Sequence, residues 1–589
     1  MCGILLAYSK KGKLDIKSCE KASEKIFSRG PDYNFSRFKL NQTLFLSQTV
    51  LSITGNPNQN LSYTNSKYGK FEILFNGEIY NFKNLQKEIL DKNDLFNYSG
   101  TDTETLVNLH EVESAPSVFK NIEGMFSYIL FNNNDKSIKI ARDMIGEKVL
   151  YKYEDKDLLV ISSQIAPIIT IAKNIKIDPS FLKEYFYTRH LLTTKNTIYK
   201  NLTMIEPGTL LNFDIEKCTT KIISEKKLSS LVSIEKIIKN KEKSSPETLQ
   251  ETQAFSSTAK LISPDINYYS VISGGIDSSL VSKLLNEYSE LKPNLICLQF
   301  PGKDLVAEDI LKFNTFFGSE IYIKIVSKDL FKQSFDECYE SICMPLPTHS
   351  FISQAILARE VKKLGSKVLI TGDGGDELFG GYEFYKTLKQ FLSIPKSNPS
   401  IYSGVLNTNL EFNNWSNERL ISESDKLWRE TTRIYEGLTP NEVTLQSILM
   451  LDSIVQLESV GIRASDTMSM MSSVESRGFF LTQQIMEFAL NLSIDKKINL
   501  DQVESDNITR PIMKELFTDK FNKNLLKPKQ GFSGYPNESI KEFVDKDFKL
   551  TNDYLEIKKF DNSFVDNDTA LEWKFINCEY YLNKFKSLL

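Results

Sequence analysis

The stretch Thr371-Gly372-Asp373-Gly374-Gly375-Asp376-Glu377-Leu378-Phe379-Gly380-Gly381-Tyr382 directly follows the apolar segment Val368-Leu369-Ile370. This acidic loop carries three carboxylates, Asp373, Asp376 and Glu377, within five residues on a glycine-rich turn. Carboxylates so close together repel one another unless a cation lies among them. Their spacing does not match an EF-hand calcium loop, and the apolar flanks argue against a solvated acidic turn. The stretch therefore predicts a cation-binding loop at the end of a buried strand.

A second strand, glycine turn and helix precedes the acidic loop in the chain. The run Tyr268-Tyr269-Ser270-Val271-Ile272 leads into the serine-rich loop Ser273-Gly274-Gly275-Ile276-Asp277-Ser278-Ser279, and an apolar helical period follows. Glycines let backbone N–H groups approach an anion, and a helix N-terminus favours negative charge. Asp277 is well placed to hold Mg²⁺ on phosphate oxygens, although the loop lacks the ending of a Walker A motif. Two such units predict a parallel α/β sheet with its site at the carboxyl ends of the strands.

Length and composition bound the class of protein. A chain of 589 residues exceeds one hydrophobic core and predicts two or more domains. A net charge of -4 gives no electrostatic reason to expect nucleic acid or an anionic membrane as partner. No apolar run approaches the roughly 18 residues that cross a bilayer, and we expect a cytoplasmic protein. The seven cysteines and three histidines predict neither a disulfide framework nor a zinc site.

The domain pattern changes along the chain. Residues 1–212 contain short β-rich segments, such as Phe71–Phe75 before Asn76-Gly77, and predict sheets packed on each other. Residues 213–255 are rich in Lys, Glu and Ser and predict a solvated linker or exposed helix. Residues 256–589 hold both loops, and the part beyond about residue 440 predicts mostly helix.

Cys2 directly follows the initiator methionine. Removal of Met1 would leave an α-amine, which titrates at about pH 8 and can take up the thiol proton as a built-in base. Three segments accompany it: a charged turn at Arg29–Asp32, Asn76-Gly77 as an oxyanion hole, and Gly100–Glu104 with a carboxylate for a substrate ammonium. Each of these segments also fits an ordinary turn or helix cap.

Met1-Cys2-Gly3-Ile4, Arg29-Gly30-Pro31-Asp32, Asn76-Gly77-Glu78-Ile79-Tyr80-Asn81 and Thr101-Asp102-Thr103-Glu104, in this order, resemble the class II (N-terminal nucleophile, Ntn) glutamine amidotransferase domain. The resemblance implies an α+β glutaminase built as an αββα sandwich. It implies that Cys2 attacks the side-chain amide of glutamine, with Asn76 and Gly77 stabilising the oxyanion. The glutamine-binding residues that it implies are Leu51, Ser52, Ile53, Asn76, Gly77, Glu78 and Asp102.

The serine-rich and acidic loops together resemble the synthetase domain of glutamine-dependent asparagine synthetase, a PP-loop ATP pyrophosphatase. The resemblance continues to Ser472–Arg477 and Lys527–Phe532, and implies an α/β parallel sheet with a helical C-terminal part. Asp277 and Asp376 would bind Mg²⁺, and Asp373 would assist acyl-adenylate formation and attack by ammonia. The ATP-binding residues that it implies are Ile272, Ser273, Gly274, Gly275, Asp277, Ser278, Ser279, Leu298, Thr371, Gly372 and Lys529.

Three departures from that family pattern bear on the substrates. Val50 stands where the family usually has an arginine for the glutamine α-carboxylate, and valine can make no bidentate pair. The segment Arg477–Thr482 lacks the usual proline and final aspartate, and Thr467 replaces an arginine. We interpret Met468 and its neighbouring methionines as core packing. These changes predict a repacked acceptor region.

The expected reaction combines glutamine, aspartate and ATP into asparagine, glutamate, AMP and diphosphate, with ammonia carried through a dry passage. No nucleic acid or membrane partner is expected, and a homodimer is left open. One alternative is the same chemistry on another carboxylic acid, such as a sugar acid, an antibiotic precursor or a peptide side chain. A second is a non-catalytic sensor of ATP or glutamine. A third, sugar amination as in glucosamine-6-phosphate synthase, does not account for the serine-rich and acidic loops.

Overall fold

The computed structural model describes residues 2–53, 64–93, 100–187, 195–242, 248–301, 310–387, 392, 412, 416, 418–499, 508–527, 538–542, 544, 547–557 and 569–586. Within them, the N-terminal part forms two antiparallel sheets, with strand orders β2-β3-β1-β8-β7-β9 and β11-β10-β6-β5-β4. The strands are β1 Cys2–Ser9, β2 Tyr33–Lys39, β3 Leu44–Val50, β4 Phe71–Ile79, β5 Gly124–Asn132, β6 Ile138–Arg142, β7 Tyr151–Glu154, β8 Leu158–Ser162, β9 Leu202–Met204, β10 Thr209–Asp214 and β11 Thr219–Glu225.

Alternating side chains of β1 bind the layers together. Ile4 and Leu6 point into a core shared by the two sheets, and Leu5 and Ala7 point to the opposite face, where helices cover the first sheet. Other helices cover the outer face of the second sheet. The αββα sandwich expected from the sequence is therefore confirmed. Its helices are Ile16–Glu24, Phe82–Asn93, Asp102–Val112, Ala115–Asn121, Ile165–Ile171 and Pro179–Tyr187.

The C-terminal part is built on a parallel sheet with the strand order β14-β13-β12-β15-β16. Its strands are β12 Tyr269–Val271, β13 Asn294–Gln299, β14 Ile321–Ile325, β15 Val368–Thr371 and β16 Glu475–Gly478. The chain adds β13 and β14 on one side of β12, and then β15 and β16 on the other. The strand order thus reverses between β12 and β15, the point at which open α/β sheets bind their ligands.

Helices surround this sheet and form most of the chain beyond it, as the sequence predicted. The described helices from residue 234 onward are Ile234–Glu242, Thr248–Ile262, Ile276–Tyr288, Asn314–Phe317, Lys328–Ile342, Ser350–Lys363, Gly375–Phe379, Glu418–Ile434, Pro440–Leu451, the π-helix Asp452–Ile462, Arg463–Met470, Gln483–Leu490, Pro511–Lys520, Glu538–Lys541, Lys549–Leu555 and Thr569–Lys584. Three of them join end to end across residues 440–470.

This joined helix is the one described element that is long and apolar enough to cross a membrane by length and composition. In the structure, 83% of its most apolar window is buried inside the protein. Met468 and Met470, near its end, are fully buried, which confirms their interpretation as core residues. The helix is therefore a core element of this fold.

The two parts of the chain share one hydrophobic core. The cluster around Leu5 on the outer face of the first sheet continues into Phe335 and Phe575 of the C-terminal part. The Tyr199 hydroxyl donates to the Cys343 carbonyl at 2.6 Å, and the Tyr185 hydroxyl to the Leu346 carbonyl at 3.0 Å. Continuous packing of this kind fixes how the two sites face each other.

Two local features differ from the sequence prediction. The predicted boundary at residue 212 falls inside β10, and β11 extends the sheet through Glu225, within the segment predicted as linker. Most β11 side chains are exposed, so an edge strand has the composition of a linker. Asn76-Gly77 lie inside β4 rather than in a turn after it. Gly77 has a φ of +144°, and a Cβ there would lie 2.0 Å from the Met125 carbonyl, so the close approach of β4 and β5 requires glycine.

Replacement of Met468 by alanine should lower stability, because this fully buried side chain packs in the core shared by the two parts. A cavity of this kind typically costs about 2–5 kcal/mol. The measurement is urea unfolding followed by tryptophan fluorescence. Met471→Ala, at a partly buried position on the same core, is the matched control and should shift the midpoint less. Equal shifts would contradict the packing assigned to Met468.

Candidate active sites

Backbone hydrogen bonds of Cys2 and Gly3 fix the start of β1. Its backbone N–H donates to Asn76 Oδ1 at 3.0 Å, and its carbonyl accepts a hydrogen bond from Arg29 Nε at 3.1 Å. The next N–H, that of Gly3, donates to Thr49 Oγ1 at 3.1 Å. Burial raises the pKa of the Cys2 thiol, so an adjacent base is needed to generate the thiolate near neutral pH. The nitrogen held by Asn76 is the atom that becomes an α-amine when Met1 is removed.

Asn76 lies next to Cys2, as predicted, but with a specific orientation. Its carboxamide oxygen faces the Cys2 nitrogen, and its Nδ2 donates to Ser127 Oγ at 3.4 Å. An amide group in this orientation positions the amine base. The oxyanion role assigned to Asn76 and Gly77 stays a prediction, since it needs the Nδ2 group to face the reacting carbonyl.

Asp102 and Glu78 occupy different environments beside the cysteine. Asp102 begins a helix and accepts hydrogen bonds from the N–H groups of Ile79 at 3.0 Å and Thr103 at 2.7 Å. Burial raises the pKa of Asp102. Burial also raises the pKa of Glu78, whose Oε2 lies 3.2 Å from Arg477 Nη2 of the C-terminal part. Glu78 therefore joins the two parts of the chain as well as lining the predicted glutamine site.

Lys367 lies near the segment after Val50, the residue that stands where the family usually has an arginine. Leu51 and Ile53, after β3, are buried, and the N–H of Ser52 donates to Asp32 Oδ2 at 2.8 Å. Lys367 Nζ lies 2.7 Å from the same carboxylate oxygen and 3.2 Å from the Ser52 carbonyl. The C-terminal part thus supplies a positive charge to the segment that follows Val50. Sequence reasoning missed Lys367, because a lysine directly before a strand carries no distinguishing signal.

The serine-rich and acidic loops meet at the carboxyl ends of β12 and β15. A Cβ on Gly372 would lie 3.3 Å from Asp277 Cβ, and a Cβ on Gly375 would lie 2.8 Å from Asp277 Oδ1. The absence of side chains at these glycines lets the loops come into contact. The loops therefore form one site, as the sequence predicted.

The serine-rich loop is folded by its own hydroxyls. Ser278 Oγ accepts a hydrogen bond from the Ser273 N–H at 3.0 Å and lies 2.8 Å from Ser273 Oγ. Gly274 has a φ of +76°, and Gly275 is the N-cap of the helix Ile276–Tyr288 without a capping side chain. A helix that begins in this way presents N–H groups and a positive dipole end to an anion.

Arg510 connects the two predicted metal ligands. Its Nη1 lies 2.6 Å from Asp277 Oδ2 and 3.3 Å from Asp376 Oδ1. A guanidinium therefore lies between Asp277 and Asp376 and reduces the repulsion between these two carboxylates. The sequence did not single out Arg510, which lies 134 residues beyond Asp376 in the chain and is marked only by the helix-starting Pro511 after it.

Asp373 is oriented by two hydroxyl groups. Its Oδ2 accepts hydrogen bonds from Thr371 Oγ1 at 2.7 Å and from Ser465 Oγ. Burial raises the pKa of Asp373, and burial raises that of the neighbouring Glu377 to about 8. Glu377 is buried and accepts a hydrogen bond from the Tyr382 hydroxyl at 2.5 Å.

The remaining predicted nucleotide residues fall into two groups. Ile272 is buried at the end of β12, and Leu298 is partly buried on β13. Ile272 directly precedes the serine-rich loop, and β13 pairs with β12, the strand that leads into this loop. Lys529, the last of the implied ATP-binding residues, lies outside the described residues.

A chain of polar contacts joins Cys2 to Asp373. Arg29, which holds the Cys2 carbonyl, places Nη2 3.0 Å from both carboxylate oxygens of Asp466, and both side chains are buried. Ser465, the residue before Asp466, donates to Asp373. A second buried ion pair, Arg142 with Glu458 at 2.9 Å, ties the sandwich to the same long helix. The two candidate sites are therefore linked through one helix.

A cavity of about 30 Å³ lies between the parts. Tyr80, Gly124 and Met144 line it on one side, and Leu481 and Thr482 on the other. Space of this size holds one or two small molecules such as water or ammonia. Leu481 also contacts the acidic loop, since a Cβ on Gly374 would lie 2.7 Å from its Cδ2.

The segment Arg477–Thr482 is held by polar contacts and aromatic packing, and its repacking relative to the family stays a prediction. Arg477 donates to Glu475 at 2.6 Å and to the Ile262 carbonyl at 2.8 Å, as well as to Glu78. Thr482, at the position of the missing aspartate, lies 3.0 Å from Thr258 Oγ1. The aromatic rings packed around this segment are Phe255, Phe379, Phe479, Phe480 and Phe488.

An αββα sandwich with a buried cysteine at the start of its first strand, joined to a parallel sheet on which the serine-rich and acidic loops meet, fits a two-site protein of the amidotransferase class. A glutamine amidotransferase domain model matches residues 1–223, and an asparagine synthase model matches residues 256–570. The chain belongs to the asparagine synthase family.

Curated relatives are distant in sequence. Glutamine-hydrolyzing asparagine synthetase 1 of Bacillus subtilis is 27% identical over 409 residues, covering 67% of this chain and 61% of that protein. Putative asparagine synthetase 2 of Methanocaldococcus jannaschii is 25% identical over 430 residues, covering 67% and 80%. Asparagine synthetase 3 of Bacillus subtilis is 22% identical over 579 residues, covering 92% and 88%. The aligned region thus spans less than two thirds of the first relative and most of the third.

Replacement of Asp466 by asparagine should impair the cysteine site from a distance, because Arg29 loses its charged partner while it stays buried. Loss of one partner of a buried pair typically costs about 3–5 kcal/mol, and displacement of a reacting group by about 1 Å costs about 100-fold in rate. We expect a lower melting temperature and a 10- to 100-fold lower rate of glutamine hydrolysis.

The matched control is Glu458→Gln, which removes the charge from the other buried pair and leaves the Arg29–Cys2 contact in place. It should lower the melting temperature with little change in glutamine hydrolysis. Equal losses of glutamine hydrolysis in both variants would contradict a specific role for Asp466 in holding Cys2.

Proposed function

We propose that this protein is a glutamine-hydrolysing asparagine synthetase. It converts ATP, L-aspartate, L-glutamine and water into AMP, diphosphate, L-asparagine and L-glutamate, through a β-aspartyl-adenylate and ammonia carried between the sites. The observation that carries this proposal is the contact of the serine-rich and acidic loops at the switch point of the parallel sheet, with Asp277 and Asp376 sharing one cation. The cytoplasmic location stays a prediction, and a homodimer is left open.

At the first site, Cys2 is the nucleophile. The thiol proton passes to the α-amine, and the sulfur attacks the side-chain carbon of glutamine. The protonated α-amine then gives this proton to the amide nitrogen, and ammonia departs as the C–N bond breaks. Water then hydrolyses the thioester to glutamate and restores the thiol. The 3.0 Å contact from the Cys2 nitrogen to Asn76 Oδ1 supports this reaction, because it fixes the base beside the thiol.

At the second site, the aspartate β-carboxylate attacks the α-phosphorus of ATP, and diphosphate leaves. Ammonia then attacks the acyl carbon, AMP leaves, and the excess proton departs from nitrogen. Asp373 is suited to take that proton, because Thr371 and Ser465 orient its carboxylate and burial raises its pKa. The serine-rich loop and the start of its helix bind the phosphates.

Asp277 and Asp376 fit a magnesium ion. Both reach the same guanidinium nitrogen, so a single cation can contact both carboxylates. Mg²⁺ is typically bound by one or two carboxylates together with substrate phosphates and water. Bound there, it would neutralise charge on the departing diphosphate.

The interdomain cavity supports internal transfer of ammonia. It lies between Tyr80, which follows the Asn76–Ile79 segment, and Leu481, which contacts the acidic loop. Ammonia must reach the adenylate unprotonated, because ammonium has no lone pair. A passage that excludes water also protects the adenylate from hydrolysis.

An amidotransferase with another carboxylic acid acceptor is the second candidate. The observation that favours it is Thr482 in the Arg477–Thr482 segment, which bonds to Thr258 and offers no carboxylate to the ammonium group of an amino-acid acceptor. Both candidates predict the same adenylation chemistry and differ in the acceptor.

Replacement of Cys2 by alanine should abolish AMP formation with glutamine as nitrogen donor and leave the reaction with ammonium intact. Asp373→Asn should reduce AMP formation with either donor by about 100-fold or more, because both reactions use the second site. AMP and glutamate are measured on purified protein. Loss of the ammonium reaction in the Cys2 variant would contradict the separation of the two sites.

Isotope exchange between ATP and diphosphate identifies the acceptor. We expect exchange to depend on L-aspartate, since adenylation is reversible and needs the carboxylate. Glutarate, succinate and L-glutamate serve as matched carboxylates. Exchange that other acids support and aspartate does not would overturn the assignment to asparagine and favour the second candidate.

A further inference from the structure

Arg510 occupies the centre of the predicted nucleotide site. Its guanidinium lies between Asp277 of the serine-rich loop and Asp376 of the acidic loop, and the residue is 3% exposed. Glu383 adds a further negative charge that acts on the same guanidinium. One arginine thus faces carboxylates from separate segments at the point where the phosphates of ATP are expected.

The backbone around Arg510 is arranged to bring its side chain into the site. The residue has a φ of +55°, a left-handed conformation that side-chain-bearing residues disfavour, and it directly precedes Pro511 at the start of a helix. Its N–H donates to the Lys497 carbonyl at 2.8 Å. A Cβ on Gly381 would lie 2.9 Å from Arg510 Cδ and 2.0 Å from Asp376 Oδ1. The absence of a side chain at Gly381 therefore gives the arginine its path to the carboxylates.

The hydrogen bonds of Arg510 are incomplete, in contrast to those of a structural arginine in the same protein. Arg477 uses Nε, Nη1 and Nη2 on three protein acceptors. Arg510 Nε is buried and has no hydrogen-bond acceptor among the described residues. A buried donor that the fold leaves unsatisfied is costly, and it is expected where a ligand supplies the missing acceptor.

The charges of Asp277, Asp376 and Arg510 indicate which ligand would supply this acceptor. Asp277 and Asp376 share one guanidinium nitrogen, Arg510 Nη1, at 2.6 and 3.3 Å. A divalent cation neutralises both, and it frees the guanidinium for another anion. The anion then closest at hand is the diphosphate portion of the nucleotide, since planar guanidinium groups bind phosphate oxygens strongly.

We propose that Arg510 is a placeholder cation. In the nucleotide-free protein it holds Asp277 and Asp376 together, and when Mg²⁺ and ATP enter it gives up the carboxylates to the metal and binds the diphosphate portion. This inference rests on the nucleotide site proposed above. It assigns to Arg510 a competition with the metal and an attraction for the phosphates.

The test measures Mn²⁺ binding to the nucleotide-free full-length protein by electron paramagnetic resonance. Arg510→Met should bind Mn²⁺ at least 10-fold more tightly than the wild type, because the Arg510 guanidinium no longer competes with the metal for the two carboxylates. Arg510→Lys should stay close to the wild type. Lys520→Met is the control for net charge, since it removes a positive charge from the same helix, where Lys520 pairs with Glu287, and it should leave Mn²⁺ binding unchanged.

Calorimetry with inorganic diphosphate and Mg²⁺ gives the second readout. Arg510→Met should bind diphosphate at least 10-fold more weakly than the wild type, so that the variant gains affinity for the metal and loses affinity for the anion. Unchanged or weaker Mn²⁺ binding, or unchanged diphosphate binding, overturns the proposal. If Arg510→Met does not fold, Arg510→Gln, which keeps hydrogen bonds to both carboxylates and removes the charge, must give the same two changes.

Failure of this inference is distinguishable from failure of the proposed function. If the wild type binds neither Mg²⁺–ATP nor Mg²⁺–diphosphate, the nucleotide site itself is wrong. If the wild type binds both and the Arg510 variants match it, only the placeholder role is wrong.

Discussion

The architecture depends on buried charges that join its two parts. Arg29 pairs with Asp466 and Arg142 with Glu458, so two arginines of the sandwich reach carboxylates on one long helix of the C-terminal part. A buried ion pair adds little net stability, but separation of its partners is strongly unfavourable. The two parts therefore cannot drift apart without exposing or orphaning these charges. Because Arg29 also holds the Cys2 carbonyl, the same constraint sets the position of Cys2, the proposed nucleophile.

Both sites are assembled by close backbone approach and completed by residues from elsewhere in the chain. In the sandwich, Gly77 lets β4 approach β5, and Asn76 next to it reaches the Cys2 nitrogen. In the parallel sheet, Gly372 and Gly375 let the acidic loop touch Asp277. Rigid strands on either side of these glycines then hold the reacting groups. Neither site needs a mobile element to bring its described residues together.

Val50 and Thr482 depart from the family pattern, and polar contacts lie at or near both positions. Val50 cannot bind a carboxylate, and Lys367 of the C-terminal part places its ammonium group on Ser52 and Asp32 nearby. Thr482 stands in place of an aspartate and bonds to Thr258. In both places the described polar groups have partners within this chain. Membership of the family is therefore compatible with a changed acceptor, which is why the acceptor has to be established by exchange.

The sequence by itself determined the sandwich and the parallel sheet, and it singled out the candidate nucleophile and loop residues, because local patterns carry these features: strand alternation, glycine turns and clustered carboxylates. It misplaced β11 as linker, since an exposed edge strand and a linker share a composition. Tertiary structure alone decided that Arg510 bridges Asp277 and Asp376, that Lys367 reaches the Val50 segment, and that Asp466 holds Arg29. These contacts join residues far apart in the chain. No local preference of an arginine, a lysine or an aspartate specifies which distant charge it will meet, so packing of the whole molecule has to decide it.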